Sequence, residues 1–414
     1  MLFLYNFSIR LYRLAIGLSS PFNKKASLWV QGRRDIFDRI SSSLQPGETR
    51  VWFHCASLGE FEQGRPLIEA YRRKYPDRKI VLTFFSPSGY AIRKSYSGAD
   101  YVFYLPLDTP ENARRFLDLV QPEKIFFIKY EFWYHYIHEA YTRSIPCFLV
   151  SATFRENQLF FKSYGGFYRD ILRCFSYIFV QNERSRELLS GIGLENAAIG
   201  GDTRFDRVYE VAQKTVKIPV AEQFCQGKKT MVAGSTWDKD EELLKAFLAD
   251  QTGLRLIMAP HEIGSDKMEA MERSWNNLTG GRAILYSKAS AVDALDEYSV
   301  LLIDNIGMLS SLYAYADFAY IGGGFGKGIH NILEAATFGC PVFFGPNYGK
   351  FIEATELIAL GGAFATASAE QLRAHTELLL SDPAEYSRIE GINKDYVREK
   401  TGATAFILDT LEKL

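Results

Sequence analysis

The sequence predicts an α/β protein of two doubly wound, parallel-sheet domains facing a cleft. The 414 residues are too many for one ordinary core and suit two domains of about 200 residues each. From about residue 50, short apolar runs alternate with stretches of helical periodicity, the signature of strand–helix–strand units. The alternation then breaks once and resumes near residue 230, as a chain does when it leaves one sheet and begins another.

Residues 1–35 stand apart from both domains. Met1 to Leu18 is strongly apolar, yet Arg10 and Arg13 interrupt it, and it is too short and too charged to span a bilayer. It also lacks the basic leader and small-residue cleavage site of a secretory signal. An interfacial helix suits it, with Lys24, Lys25, Arg33 and Arg34 meeting anionic head groups. Packing of that helix on its own domain would cover the same side chains.

Residues 36–207 read as the first domain. Val51-Trp-Phe-His54, Ile80-Val-Leu-Thr83, Tyr101-Val-Phe-Tyr104, Ile125-Phe-Phe-Ile128, Cys147-Phe-Leu-Val150 and Tyr177-Ile-Phe-Val180 are near-continuous apolar runs. Strands buried on both faces of a parallel sheet have that character. Residues 61–75 and 111–120 carry helical patterning and supply right-handed crossovers. The mixed polar stretch 208–229, which holds Pro219, reads as the linker. In residues 230–414 a second series follows: Met231-Val-Ala-Gly234, 254–259, Ala283-Ile-Leu-Tyr286, Val300-Leu-Leu-Ile303, Phe318-Ala-Tyr-Ile321, Val342-Phe-Phe344 and Ala363-Phe-Ala365. Helices run from Ala369 onward, the last of them placed to pack back on the first domain.

Composition narrows the function. A formal net charge of −1 excludes a general nucleic-acid binder, which would carry a basic excess. Five scattered cysteines without CxxC spacing read as reduced thiols, and neither they nor the histidines suggest a metal or other cofactor.

Candidate chemistry belongs at the carboxyl ends of the strands, where such sheets bind ligands. Gly322-Gly-Gly-Phe-Gly-Lys-Gly-Ile-His-Asn-Ile-Leu-Glu334 runs from a strand into an apolar segment read as a helix, whose first N–H groups fall near residues 329–331. Glycines allow close approach to a phosphate, and the helix start favours an anion. Glu334 then falls near the end of the first turn, suited to the hydroxyls of a ribose. The same glycines also suit a purely steric strand-to-helix turn. In the first domain, His54-Cys-Ala-Ser-Leu-Gly-Glu60 sets Glu60 at a helix start, where the dipole favours its ionised form, as a general base requires. Ser57 and Gly59 keep that loop open for a substrate, and Ser57 equally suits an ordinary helix cap. Glu131, in Lys129-Tyr-Glu-Phe-Trp-Tyr134, ends another strand of the same sheet. Gly200-Gly-Asp-Thr-Arg-Phe-Asp206, Ala233-Gly-Ser-Thr-Trp237 and Ala259-Pro-His-Glu262 likewise follow apolar strands.

With these motifs in this order, the chain resembles the 3-deoxy-D-manno-octulosonic acid (Kdo) transferases of lipid A assembly, along nearly its whole length. The resemblance implies the GT-B glycosyltransferase fold, two Rossmann-like domains across a cleft, and inverting transfer of Kdo from CMP-Kdo to a lipid A precursor. It implies work at the cytoplasmic face of the inner membrane, peripheral or N-terminally anchored, with no cofactor, no metal and no nucleic acid. Glu60 takes the place of the family's general base, and Glu131 that of a second functional glutamate. Arg204, Gly234, Ser235, Thr236, His261, Gly324, Gly326, Lys327, His330, Asn331 and Glu334 fall in the donor-binding blocks, and Ser57 and Gly59 on the acceptor side. The chain departs from the family at Ala259, which leaves His261 without a flanking arginine. It departs also at Ser151-Ala-Thr153, at Met308 and at Tyr134-His135. A transferase using a UDP- or GDP-sugar, a sugar-nucleotide epimerase and a non-catalytic sugar- or nucleotide-binding protein share much of this pattern. Competition by CMP against UDP separates the first; the apolar basic N-terminus speaks against the second, and Glu60 with Glu131 against the third.

Overall fold

Each apolar run named above forms a strand. A computed structural model of the chain describes residues 1–214, 216–249, 253–292 and 294–414. Within it two compact units form: Met1–Asp206 together with Thr401–Leu414, and Arg207–Lys400. The first holds β1 (Arg50–Cys55), β2 (Lys79–Phe84), β3 (Tyr101–Tyr104), β4 (Pro122–Ile128), β5 (Cys147–Ala152), β6 (Tyr177–Val180) and β7 (Ala197–Ile199), in the order β3-β2-β1-β4-β5-β6-β7. The second holds β8 (Lys229–Thr236), β9 (Leu254–Pro260), β10 (Ala283–Leu285), β11 (Val300–Leu302), β12 (Phe318–Ile321), β13 (Val342–Phe344) and β14 (Ala363–Ala365), in the order β10-β11-β9-β8-β12-β13-β14. Every pairing is parallel.

The apolar runs are strands because both faces of each sheet are covered. In the first unit, Phe53, Phe126 and Phe148 are cross-strand partners. Their rings stack at 4.6 and 5.2 Å under one layer of helices. Trp52 and Phe127, one residue earlier and later, pack into the opposite layer. A one-residue slip would exchange the two faces, so this aromatic ladder fixes register.

Residues 208–229 hold the end of the helix Thr203–Gln213 and a further helix, Pro219–Cys225, whose Ala221 and Phe224 are buried. The cysteines are unpaired, with Cys55, Cys147 and Cys340 buried.

The N-terminal helix Leu2–Ser19 docks on the first unit by one face only. Ile9 is buried against Trp29 and Leu107, the Tyr5 hydroxyl donates to Asp108, and Asn6 pairs with His135 at 2.6 Å. The opposite face exposes Phe3, Phe7, Leu11, Leu14 and Leu18, spaced three or four apart so that they form one stripe. No described helix is long and apolar enough to cross a membrane. Arg33, expected at the surface, is withdrawn. Its guanidinium lies 3.9 Å from the Trp29 ring centre and donates to the carbonyls of Leu105, Trp29 and Phe85.

The helix Ala403–Leu411 belongs to the first unit, where Ile407, Leu408 and Leu411 complete the layer over Phe53 and Phe126. Asp206 secures it, accepting from the N–H groups of Gly402 and Thr404 at 2.6 and 2.7 Å. Asp206→Ala is expected to destabilise the first unit by about 1–2 kcal/mol, the usual cost of a lost helix cap. Urea unfolding of the full chain measures this, and limited proteolysis should release the C-terminal helix first. An unchanged midpoint would show that the apolar contacts alone hold it.

Candidate active site

β1 and β4 flank the switch point of the first sheet, where the winding reverses and side chains beyond the strand ends converge. After β1, Ser57 precedes the helix Leu58–Lys74 but caps none of its N–H groups; its hydroxyl donates to the carboxylate of Glu60 in the first turn. Gly59 between them is exposed. Gly64 lets this helix lie close to the sheet, since a Cβ there would sit 3.0 Å from Ile128 and 3.2 Å from the Cys55 sulfur. The buried Cys55 thiol is pushed well up, by burial first and then by Glu60, Glu131 and Glu62. Glu60 and Glu131, from separate strand ends, thus act on one sulfur.

Glu131 is 8% exposed and ends a buried polar chain. Trp52 Nε1 donates to Thr83 Oγ1 at 2.8 Å, Thr83 Oγ1 meets His54 Nδ1 at 2.8 Å, and His54 Nε2 meets Glu131 at 3.2 Å. Trp133 Nε1 donates to the same carboxylate oxygen. A carboxylate acceptor assigns the His54 proton to Nε2, leaving Nδ1 to accept from the Thr83 hydroxyl. Every member is then satisfied, and Glu131 is fixed in place.

Two residues at this edge hold left-handed backbone without being glycine: Lys129 (φ 71°) after β4 and Ser151 (φ 55°) near the end of β5. Such conformations cost roughly 1–3 kcal/mol and gather at functional sites. The Ser151 hydroxyl lies 3.3 Å from that of Thr203, which donates to the Gln63 carbonyl. Arg204, counted among the donor residues, lies in this first unit and is paired with Asp202, Nη2 to Oδ2 at 2.7 Å. Burial opposes ionisation of Asp202, but the guanidinium and the bonds it accepts outweigh burial and hold its carboxyl below the ordinary range.

The second sheet has its switch point between β8 and β12. The loops beyond those two strands carry most of the donor candidates. Gly322 donates to the Gly234 carbonyl at 2.9 Å, and a Cβ on Gly322 would lie 2.3 Å from the Ser235 carbonyl oxygen. A Cβ on Gly234 would strike the Tyr313 hydroxyl at 2.1 Å. Ser235 has φ 54°, and the buried Thr236 hydroxyl has no hydrogen-bond partner. Gly324 packs backbone to backbone on Gly345.

The helix expected to start near residue 329 begins later, as the short Leu333–Ala336. His330 donates its backbone N–H to the Gly322 carbonyl at 3.1 Å, which ties residue 330 to the strand end and keeps it out of a helix. Glu334 still lies in the first turn, where it accepts from Asn331 at 3.0 Å, and Asn331 caps Leu333. Gly326 and Lys327 are exposed at the loop tip.

Two features here were not read from the sequence. His261 stacks on both Trp237 and His330, at ring distances of 4.5 and 4.7 Å, and those two are joined edge to edge, Trp237 Nε1 donating to His330 Nε2 at 3.2 Å. Burial, with His261 adding to it, pushes the His330 ring below its ordinary value, so the neutral ring accepts the indole N–H. The second feature is Asp240, 1% exposed, which accepts from the backbone of Trp237 (2.9 Å) and of Gly323 (2.8 Å) and from Tyr320 (3.0 Å). Its place three residues after Trp237, in an acidic first turn, is a capping signal that points to the first of these bonds. Among the described residues no group of three or more metal-ligating side chains gathers.

Two doubly wound parallel sheets, one with carboxylates at its switch point and the other with a glycine loop at its own, define the GT-B class of glycosyltransferase. The family described as 3-deoxy-D-manno-octulosonic-acid transferase (kdotransferase) matches residues 31–207. The 3-deoxy-D-manno-octulosonic acid transferase of Aquifex aeolicus is 30% identical over 329 residues, 78% of this chain and 83% of that one. That of Haemophilus influenzae is 25% identical over 392 residues, 89% and 87%. The chain belongs to the 3-deoxy-D-manno-octulosonic acid (Kdo) transferase family. The crystal structure of UDP-GlcNAc 2-epimerase from Neisseria meningitidis bound to UDP-GlcNAc aligns with a TM-score of 0.60 over 88% of this chain and 100% of that chain, at 17% identity, a likeness of fold alone.

Proposed function

We propose that this glycosyltransferase moves Kdo from CMP-Kdo to a lipid A precursor, with inversion at the anomeric carbon, in lipopolysaccharide biosynthesis. The observation that carries the reading is Glu60, in the first helical turn after β1, where the Ser57 hydroxyl donates to its carboxylate, at the same sheet edge as a fixed Glu131. Glu60 takes the proton of an acceptor hydroxyl as that oxygen bonds to the anomeric carbon, and the bond from that carbon to the phosphate of CMP breaks. Ser57 and Gly59 flank the acceptor.

On the donor side, Gly324, Gly326 and the backbone around them suit the phosphate, and Asn331 with Glu334 suits the ribose. The unpartnered Thr236 hydroxyl supplies a further hydrogen bond. His261 and His330 offer a flat aromatic surface to the nucleotide. Lys327 and Arg204 are the candidate cations for the carboxylate of Kdo, and Arg204 is already engaged by Asp202. The exposed stripe of the N-terminal helix, with Arg10, Arg13, Lys24 and Lys25 around it, suits an interfacial position on the cytoplasmic face of the inner membrane.

The test is product formation from CMP-Kdo and a tetraacylated lipid A precursor, with CMP and UDP as competitors. Transfer inhibited by CMP and indifferent to UDP is expected. Inhibition by UDP alone would assign the donor site to another sugar nucleotide.

A further inference from the structure

A cavity of about 550 Å³ lies in the first unit between the N-terminal helix, residues 29–38 and the segment after β3. Arg13, Arg33, Arg34 and Arg115 line it, against Asp35 and Asp38. The wall therefore carries four cations and two anions, a net formal charge of +2.

The arginines are poorly neutralised. Arg13 and Arg34 form no ion pair among the described residues, and Arg115 reaches Asp38 only at 3.6 Å on the exposed surface. Arg33 is half-buried with no carboxylate beside it. Burial pulls its guanidinium down to about 9, and the groups that push back are tyrosines. Three carbonyls use three of its five N–H bonds, leaving two. Trp29, also in the wall, has a buried indole N–H that meets no acceptor. A pocket with surplus donors and two surplus positive charges is matched by a phosphate monoester, which carries close to two negative charges at neutral pH.

Arg13 and Gly17, one turn apart, bring the N-terminal helix into the wall, and the neighbouring face of that helix carries the exposed stripe from Phe3 to Leu18. The source of the phosphate follows from that neighbour. We propose that this cavity binds the phosphate monoester head group of a membrane lipid. The inference rests on the reading that the N-terminal helix lies on a bilayer, which binding to neutral vesicles tests separately.

The experiment is co-sedimentation of the full chain with phosphatidylcholine vesicles, alone or doped with phosphatidic acid or phosphatidylglycerol to equal surface charge. Phosphatidic acid presents a monoester and phosphatidylglycerol a diester. The wild-type chain is expected to bind phosphatidic acid vesicles about tenfold more tightly than phosphatidylglycerol vesicles. The variant R13Q/R34Q, changed at two exposed positions and checked by its melting curve, is expected to lose that preference while still binding phosphatidylcholine. Equal binding to both anionic lipids by wild type overturns the proposal. So does a preference that survives in R13Q/R34Q. If inorganic phosphate raises the melting temperature of wild type but not of R13Q/R34Q, and no lipid preference is seen, the pocket takes the free anion and the lipid assignment falls.

Discussion

Glu60→Gln is expected to lower kcat for Kdo transfer by a factor on the order of 100 to 10,000, the range that a positioned general base contributes. Glutamine keeps the shape and the hydrogen bond to Ser57 but cannot accept the acceptor's proton. Donor binding should be unchanged, because the glycine loop and the histidine stack belong to the second unit. Glu62 provides the control on the same helix. It also weighs on Cys55, but Arg93 engages it at 2.7 Å, and Glu62→Gln should leave kcat near the wild-type value. Single-turnover rates with CMP binding measured in parallel give the comparison. A Glu60→Gln enzyme that turns over at the wild-type rate would move the base elsewhere, with Glu131 the next carboxylate to test.

The second large effect is expected from Gly324→Ala. A Cβ at residue 324 would lie 2.5 Å from the Gly345 nitrogen and 2.6 Å from its Cα, and neither backbone can swing aside as a side-chain tip can. Overpacking of this kind costs roughly 1–3 kcal/mol or more. Displacing the loop should weaken CMP binding by more than about tenfold, since 1.4 kcal/mol is a factor of ten. Gly326→Ala, in the same loop, meets nothing nearer than the Gly323 carbonyl at 3.6 Å and should bind CMP almost as the wild type does. Titration calorimetry on the two variants decides the matter. Equal affinities would show that the close approach of Gly324 to Gly345 has no bearing on the nucleotide.

Much of the architecture was legible because strands buried on both faces must be apolar at every position, and such runs stand out against helical periodicity. The exception marks the limit of that signal. β7 is Ala197-Ala-Ile199 at a sheet edge, with Ile199 38% exposed, and two alanines and a half-covered isoleucine carry no strand pattern. The helix after the glycine loop was set too early for a different reason. Ile329, Ile332 and Leu333 have helical spacing, but the bond from His330 to Gly322 is a tertiary constraint that no local pattern records.

The candidate residues stood out in the sequence more than the partners that hold them. Gly234, Thr236, His261, His330 and Glu334 follow strands in the sequence, and strand ends are where ligands bind. The supports were hidden, since His54 meets partners 29 and 77 residues away, and Asp240 reaches Gly323 across 83. Arg33 shows the converse error. In sequence it reads as one more surface cation, whereas Trp29, Phe85 and Tyr104 enclose it.

The discontinuous first unit has a consequence for biogenesis. Ile407, Leu408 and Leu411 are synthesised only after the whole of the second unit, so the emerging chain presents a Phe53 and Phe126 layer covered in part, by Phe61, Leu67, Ile68 and Tyr71, while some 200 further residues are translated. The first sheet, although made first, is therefore the last to be sealed. A ribosome stalled near residue 400 would carry a second unit with all its strands and a first one still missing the last part of its apolar cover, and it is the older half of the nascent chain that a chaperone would hold.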